Sequence, residues 1–157
     1  MIDAHEGRAV AILGIANTFL QSHNDERVLM LLRGKLTEMI VRIDPSLYRK
    51  YVTYSSKGVP MLYVRLSKAL YGMLRAALLF YKRLHSCLED KGFVINDYEP
   101  CVAKKMFDGA QMNVCWHVDD LKISHRDEEM IYACAIDLAE EFGPKTTISR
   151  GKVHDYL

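Results

Sequence analysis

Apolar positions first cluster in AVAILGIA, Ala9 to Ala16. The run has no polar face, so Ala9–Ile15 reads as a buried strand. Val28–Leu32 is a short apolar run and predicts a second strand. Lys35–Ile43 has amphipathic spacing and predicts a turn or two of helix. Pro45 ends that segment and can open another short helix through Tyr51, because a proline is tolerated at a first helical position, where its missing N–H costs nothing. Val52–Tyr54 and Met61–Leu66 flank SSKGVP and predict a hairpin.

The most regular spacing follows. Leu66, Leu70, Met73, Ala77, Tyr81, Leu84 and Leu88 recur at intervals of three and four, one face of a helix. Ser67 is its expected N-cap and Gly92 its expected stop. Arg75, Lys82 and Arg83 fall largely off the stripe, so they are expected to be accessible and are candidate nucleic-acid contacts. Cys101–Phe107 and Gln111–Val118 then flank Asp108-Gly109, a strong hairpin signal. The chain turns again at Asp119-Asp120 into Leu121–Ser124. A final helix is expected from about Asp127 to Phe142, with Ile131, Cys134, Leu138 and Phe142 as its apolar stripe. Its first-turn acids complement the helix dipole. Strands and helices alternate without βαβ regularity, and no linker or repeat divides the chain. The expectation is an α+β fold in a single domain over residues 1–157.

Composition changes this picture little. Half of the 157 residues are hydrophobic and 26% charged, as in ordinary soluble proteins. At this length folding buries roughly 70% of the unfolded chain's surface. No apolar run approaches the ~18 residues of a membrane span. Asp3 and Glu6 against a single Arg8 give AVAILGIA no basic leader, so an intracellular location is expected. Cys87, Cys101, Cys115 and Cys134 lack zinc spacing and suggest no disulfide scaffold.

Charge distribution is more informative. From Arg33 to Arg83 there are 11 Lys/Arg against Glu38 and Asp44, a local charge of +9 within a chain of net +1. That is the footprint of a phosphate-backbone binder, and also of a solvated basic face.

Asp119-Asp120 stands out within CWHVDDLKISH, because strands tolerate Asp poorly and adjacent carboxylates repel. A hard divalent cation relieves that repulsion. With a third carboxylate, such a site could hold two Mg²⁺ about 3.5–4 Å apart and support in-line phosphoryl displacement. A polar turn in which the carboxylates cap backbone amides explains the pair equally well. His117 and His125 nearby leave open a metal-dependent phosphohydrolase using His117, Asp119 and Asp120. A lone strand histidine is more often a hydrogen-bonded neighbour than a ligand.

Four segments, in order, carry a resemblance. WHVDDLKISH resembles the YxDD hairpin of reverse transcriptases, with His117 where an aromatic usually stands. RLSKALYGMLRAALLFYKRL, Arg65 to Leu84, is similar to the LYGL(K/R)QA helix of copia-type long-terminal-repeat retrotransposon polyproteins. ANTFLQ, Ala16 to Gln21, resembles the GAFLQ that follows their first catalytic aspartate, and GKVHDYL, Gly151 to Leu157, the approach to their primer grip. The resemblance implies a palm, an antiparallel sheet backed by helices, from an RNA-directed DNA polymerase. Its partners would be an RNA template, a DNA primer and deoxynucleoside triphosphates, and its cofactor Mg²⁺. By position, Asp119 and Asp120 match the metal-binding pair, and the Ile15 carbonyl a backbone metal ligand. Phe19 matches the aromatic that screens the sugar 2′ position. Tyr71 and Gly72 match the segment beneath template base and nucleotide, where Gly permits close approach. Lys145 matches loosely the lysine proposed to protonate pyrophosphate.

One departure outweighs these matches. The family's first aspartate stands in DIPGAFLQ, and here that position is Gly14. The nearest acids, Glu6 and Asp25, are eight and eleven residues away. Little or no polymerisation is therefore expected. Fingers, thumb and RNase H domain are expected to be missing, as in a palm truncated at both ends and cut from a decayed element. A non-catalytic nucleic-acid-binding module using Arg33–Arg83 is the alternative.

Overall fold

The structure is a computed structural model that describes residues 2–150. In chain order its elements begin with α1 (Ile2–His5), β1 (Ala9–Gly14), a 3₁₀ turn (Thr18–Gln21) and β2 (His23–Arg33). Next come α2 (Lys35–Ile43), α3 (Pro45–Tyr48), a second 3₁₀ turn (Arg49–Tyr51), β3 (Thr53–Tyr54) and β4 (Pro60–Lys68). The remainder is α4 (Ala76–Asp90), β5 (Val94–Ile95), β6 (Val102–Phe107), β7 (Ala110–His117), β8 (Asp120–His125), α5 (Glu128–Phe142) and β9 (Thr147–Arg150). The chain divides into two compact units, Met1–Ser22 with Leu70–Leu157, and His23–Ala69, and no Pro/Gly-rich linker marks either boundary.

The first unit is a six-stranded sheet in the order β5-β6-β7-β8-β1-β9, antiparallel throughout. Side chains alternate across a strand, so each strand offers the helices every second residue. Ala11 and Leu13 of β1, Met112, Val114 and Trp116 of β7, and Leu121 and Ile123 of β8 all point into the core. Phe80, Leu84 and Leu88 of α4 and Ile131, Ala135, Leu138 and Phe142 of α5 complete it. The Phe80 and Phe142 rings meet at 5.9 Å. Each fully buried large side chain contributes roughly 1.5–3 kcal/mol. The result is the α+β arrangement expected, antiparallel strands backed by helices.

Helix α5 begins where its cap allows. The Asp127 carboxylate accepts the Glu129 amide at 2.9 Å, satisfying one of the free N–H groups of the first turn. Helix α4 differs from its sequence pattern. It starts at Ala76, because Leu66 and Ser67 remain in β4, where Leu66 pairs with Val28. Gly72, at φ +89, holds left-handed backbone in the turns between. The buried face is therefore Ala76, Leu79, Phe80, Leu84, Cys87 and Leu88, and only Leu84 and Leu88 of the expected stripe belong to it. The expected stop is correct. Gly92 adopts φ +80, and the Phe93 amide donates back to the Leu88 carbonyl at 2.9 Å.

The two hairpin turns differ in kind. Asp108 and Gly109 both have positive φ, the type I′ pattern that Asp-Gly favours. Between the paired His117 and Asp120 only Val118 has positive φ, the type II′ pattern, whose first central position is usually glycine.

The second unit is a three-stranded antiparallel sheet, β2-β4-β3. Strand β2 is longer than its apolar run because the polar HNDER segment joins it through a register shift between His23 and Val28. The Asn24 amide bridges that irregularity, donating to the Leu66 and Lys68 carbonyls, each at 2.9 Å. Asp44 caps α3, accepting from the Leu47 amide and the Ser46 hydroxyl, which together hold its carboxyl below the usual range. Among the described residues no helix is long and apolar enough to cross a membrane.

Candidate active site

Residues paired across neighbouring antiparallel strands project to the same face of a sheet. His117 pairs with Asp120, Asp120 with Gly14, and Gly14 with Thr147. These four form one row across β7, β8, β1 and β9, on the face opposite the helical core that takes Trp116 and Leu121. Asp119 precedes the row in the turn, and its carbonyl accepts the Ile15 amide at 2.8 Å. The strand end bearing Gly14 is thus tied directly to the aspartate pair.

This geometry shows what a side chain at position 14 would meet. A Cβ placed on Gly14 would stand 3.6 Å from Asp120 Oδ1. An acid there would lie beside Asp120, but Gly14 supplies no side-chain donor. Among the described residues no group of three or more His, Cys, Asp or Glu side chains is placed to hold a metal ion. The described donors therefore do not make up a two-cation centre, and among them His117 does not supply a third ligand. His125 lies at the far end of β8, buried, its Nδ1 accepting the Asp127 amide at 3.1 Å. It plays no part in this row.

The other sequence candidates have mixed fates. The Ile15 carbonyl, expected at a metal, accepts the buried Thr18 hydroxyl at 2.8 Å. Phe19 and Tyr71 do come together, ring centroids 4.4 Å apart, with Phe19 resting on the core and Tyr71 exposed. Gly72 has nothing within 4 Å of where its Cβ would be. Its left-handed φ, rather than close approach, is what calls for glycine there. Lys82 and Lys145 are exposed and Arg75 partly buried. Arg83 is partly buried and has partners within the fold. It donates to the Gln21 carbonyl and to Glu141, 3.3 Å from the carboxylate, and lies over the Phe142 ring. Gln21 in turn donates to the Phe142 carbonyl at 2.9 Å, so Arg83 and Gln21 clamp the 3₁₀ turn to α4 and α5.

Cys87 lies in the core, with Cys101 and Cys134 packed against it. No disulfide joins them, and burial pushes the Cys87 and Cys134 thiols up to about 11, far from nucleophilic at neutral pH. Thr147 carried no signal in the sequence. Only the β1–β9 register puts its hydroxyl beside Gly14, where it donates to the Gly14 carbonyl at 3.5 Å. The segment Gly151–Leu157, matched to the primer-grip approach, lies outside the described residues.

An aspartate pair on a tight hairpin, on a sheet backed by helices, is the arrangement of a polymerase palm. Over residues 1–157 the chain matches the family described as reverse transcriptase (RNA-dependent DNA polymerase). The chain belongs to that family, whose substrates are nucleic acids. No curated protein matches it.

Proposed function

We propose that this chain is palm sequence from a copia-type retrotransposon reverse transcriptase that no longer polymerises DNA. Gly14 carries this reading. It stands at the position of the family's first aspartate, in register with Asp120, and offers no side-chain oxygen. The polymerase ancestry accounts for Asp119 and Asp120 as metal-binding carboxylates that acted with Mg²⁺. It also accounts for Phe19 against Tyr71 as the former nucleotide-binding wall. The partners would be an RNA template, a DNA primer and deoxynucleoside triphosphates, in an intracellular setting. With the donor set incomplete, catalysis is lost because a reacting hydroxyl would be neither aligned nor deprotonated at this row. Primer extension on an RNA template in Mg²⁺ tests this directly.

Charge supports a second reading, a retained capacity to bind nucleic acid without chemistry. The unit His23–Ala69 carries nine Lys/Arg against four Asp/Glu. It also exposes Tyr51, Tyr54 and Tyr63, and Lys50 lies 5.1 Å over the Tyr51 ring. Basic groups interleaved with aromatics suit phosphate contact and base stacking. Binding of an RNA–DNA hybrid that weakens steeply as salt rises supports this reading. Binding indifferent to salt, or absent at low salt, removes it.

A further inference from the structure

The row through Gly14 holds a second feature that no motif marks. A Cβ on Gly14 would lie 2.8 Å from Thr147 Oγ1, closer than atoms in van der Waals contact tolerate. Gly14 has no left-handed φ, so its backbone would accept any side chain. Space, and not backbone conformation, is what excludes one. Thr147 is branched at Cβ and rotates between three staggered positions. Two of these direct Oγ1 or Cγ2 at position 14, and only one turns the lone hydrogen that way. That rotation gives up the contact of the hydroxyl with the Gly14 carbonyl.

We propose that Thr147 fills the volume the stem of a third carboxylate needs, so that the loss at position 14 is secured by a second residue and Gly14→Asp alone does not rebuild the site. The steric part stands on the β1–β9 register alone. Its metal-binding consequence, which rests on reading Asp119 and Asp120 as former polymerase carboxylates, is that a divalent cation is regained only when both positions change.

Thermal unfolding of the full chain tests the steric part without any metal. Alanine is ordinarily preferred to glycine in a strand. Gly14→Ala is therefore expected to lower Tm in the wild-type background and to raise it, or leave it unchanged, with Thr147→Ala. With Thr147→Val, which keeps the branch, Gly14→Ala should again lower Tm. An equal shift in all three backgrounds would overturn the proposal, since independent positions simply add. Titration with Mn²⁺, read by the signal of the free ion, tests the consequence. Gly14→Asp with Thr147→Ala is expected to bind about tenfold more tightly than Gly14→Asp alone. Equal affinity in the two variants overturns the role of Thr147 while sparing the ancestral reading. A sign change in Tm with no Mn²⁺ binding by either variant upholds the steric role and removes the ancestral reading of the aspartate pair.

Discussion

Gly14 and Asp120 face each other across the β1–β8 ladder, with the Asp120 carboxylate 3.6 Å from where a side chain at position 14 would begin. An aspartate there would crowd a third negative charge against the pair and require a cation to hold it. With glycine that third charge is absent, and the pair alone is left to hold a cation.

Divalent ions should therefore do little to this protein. Tm measured in EDTA and in millimolar Mg²⁺ is expected to agree within error, because a ligand stabilises only in proportion to its binding of the native state. A Mg²⁺-dependent rise in Tm that Asp120→Asn abolishes would show that the two aspartates suffice.

Val118 is the residue beside the pair whose backbone is most out of character. A β-branched residue at φ +52 is strained, and left-handed backbone costs an L-residue roughly 1–2 kcal/mol. Val118→Gly is expected to raise stability in urea unfolding by up to about 1 kcal/mol, after the greater freedom of glycine in the unfolded chain is subtracted. A loss of stability would mean that the exposed Val118 side chain contributes more than its backbone costs.

Arg83 and Lys82 adjoin in sequence and should separate in experiment. Arg83→Ala removes the clamp on Gln21 and Glu141 and is expected to cost about 1–2 kcal/mol of stability. Lys82→Ala, at an exposed position, should alter stability by less than about 0.5 kcal/mol. If the chain binds hybrid through α4, Lys82→Ala reduces the salt slope by about one. Equal stability losses for the two variants would contradict the structural role of Arg83.

Asp3 gives the fold a pH dependence of known sign. Burial works to raise its carboxyl, but hydrogen bonds from Lys122 and Ser124, with the charges of Lys122 and Arg8, outweigh it and hold the group below 3.8. The Lys122 ammonium lies 2.6 Å from that carboxylate. A depressed carboxyl stabilises the fold above its unfolded pKa, and that stability is lost as pH falls through the folded value. The Tm difference between wild type and Asp3→Asn should be greatest above about pH 5 and vanish in stronger acid. A difference that grows on acidification would contradict the ion pair.

The elements legible in the sequence were those set by local chemistry. Pro45 opening α3, Asp108-Gly109 turning β6 into β7 and the acids beginning α5 all act within a few residues. The start of α4 was not legible, because Leu66 fits a helical stripe as well as a strand and only its pairing with Val28 decides. The site divides in the same way. Asp119, Asp120 and Gly14 could be singled out from adjacent residues. The part played by Thr147 could not, since 133 positions separate it from the Gly14 carbonyl its hydroxyl meets. Nor could the engagement of Arg83, which depends on where α5 ends.

Primer extension on an RNA template with a DNA primer, deoxynucleoside triphosphates and Mg²⁺ tests the central claim most directly. The chain is expected to extend no more primer than a reaction without protein, because the row at Asp120 lacks a side-chain carboxylate at Gly14. Template-dependent extension by the unaltered chain, abolished by Asp120→Asn, would contradict it.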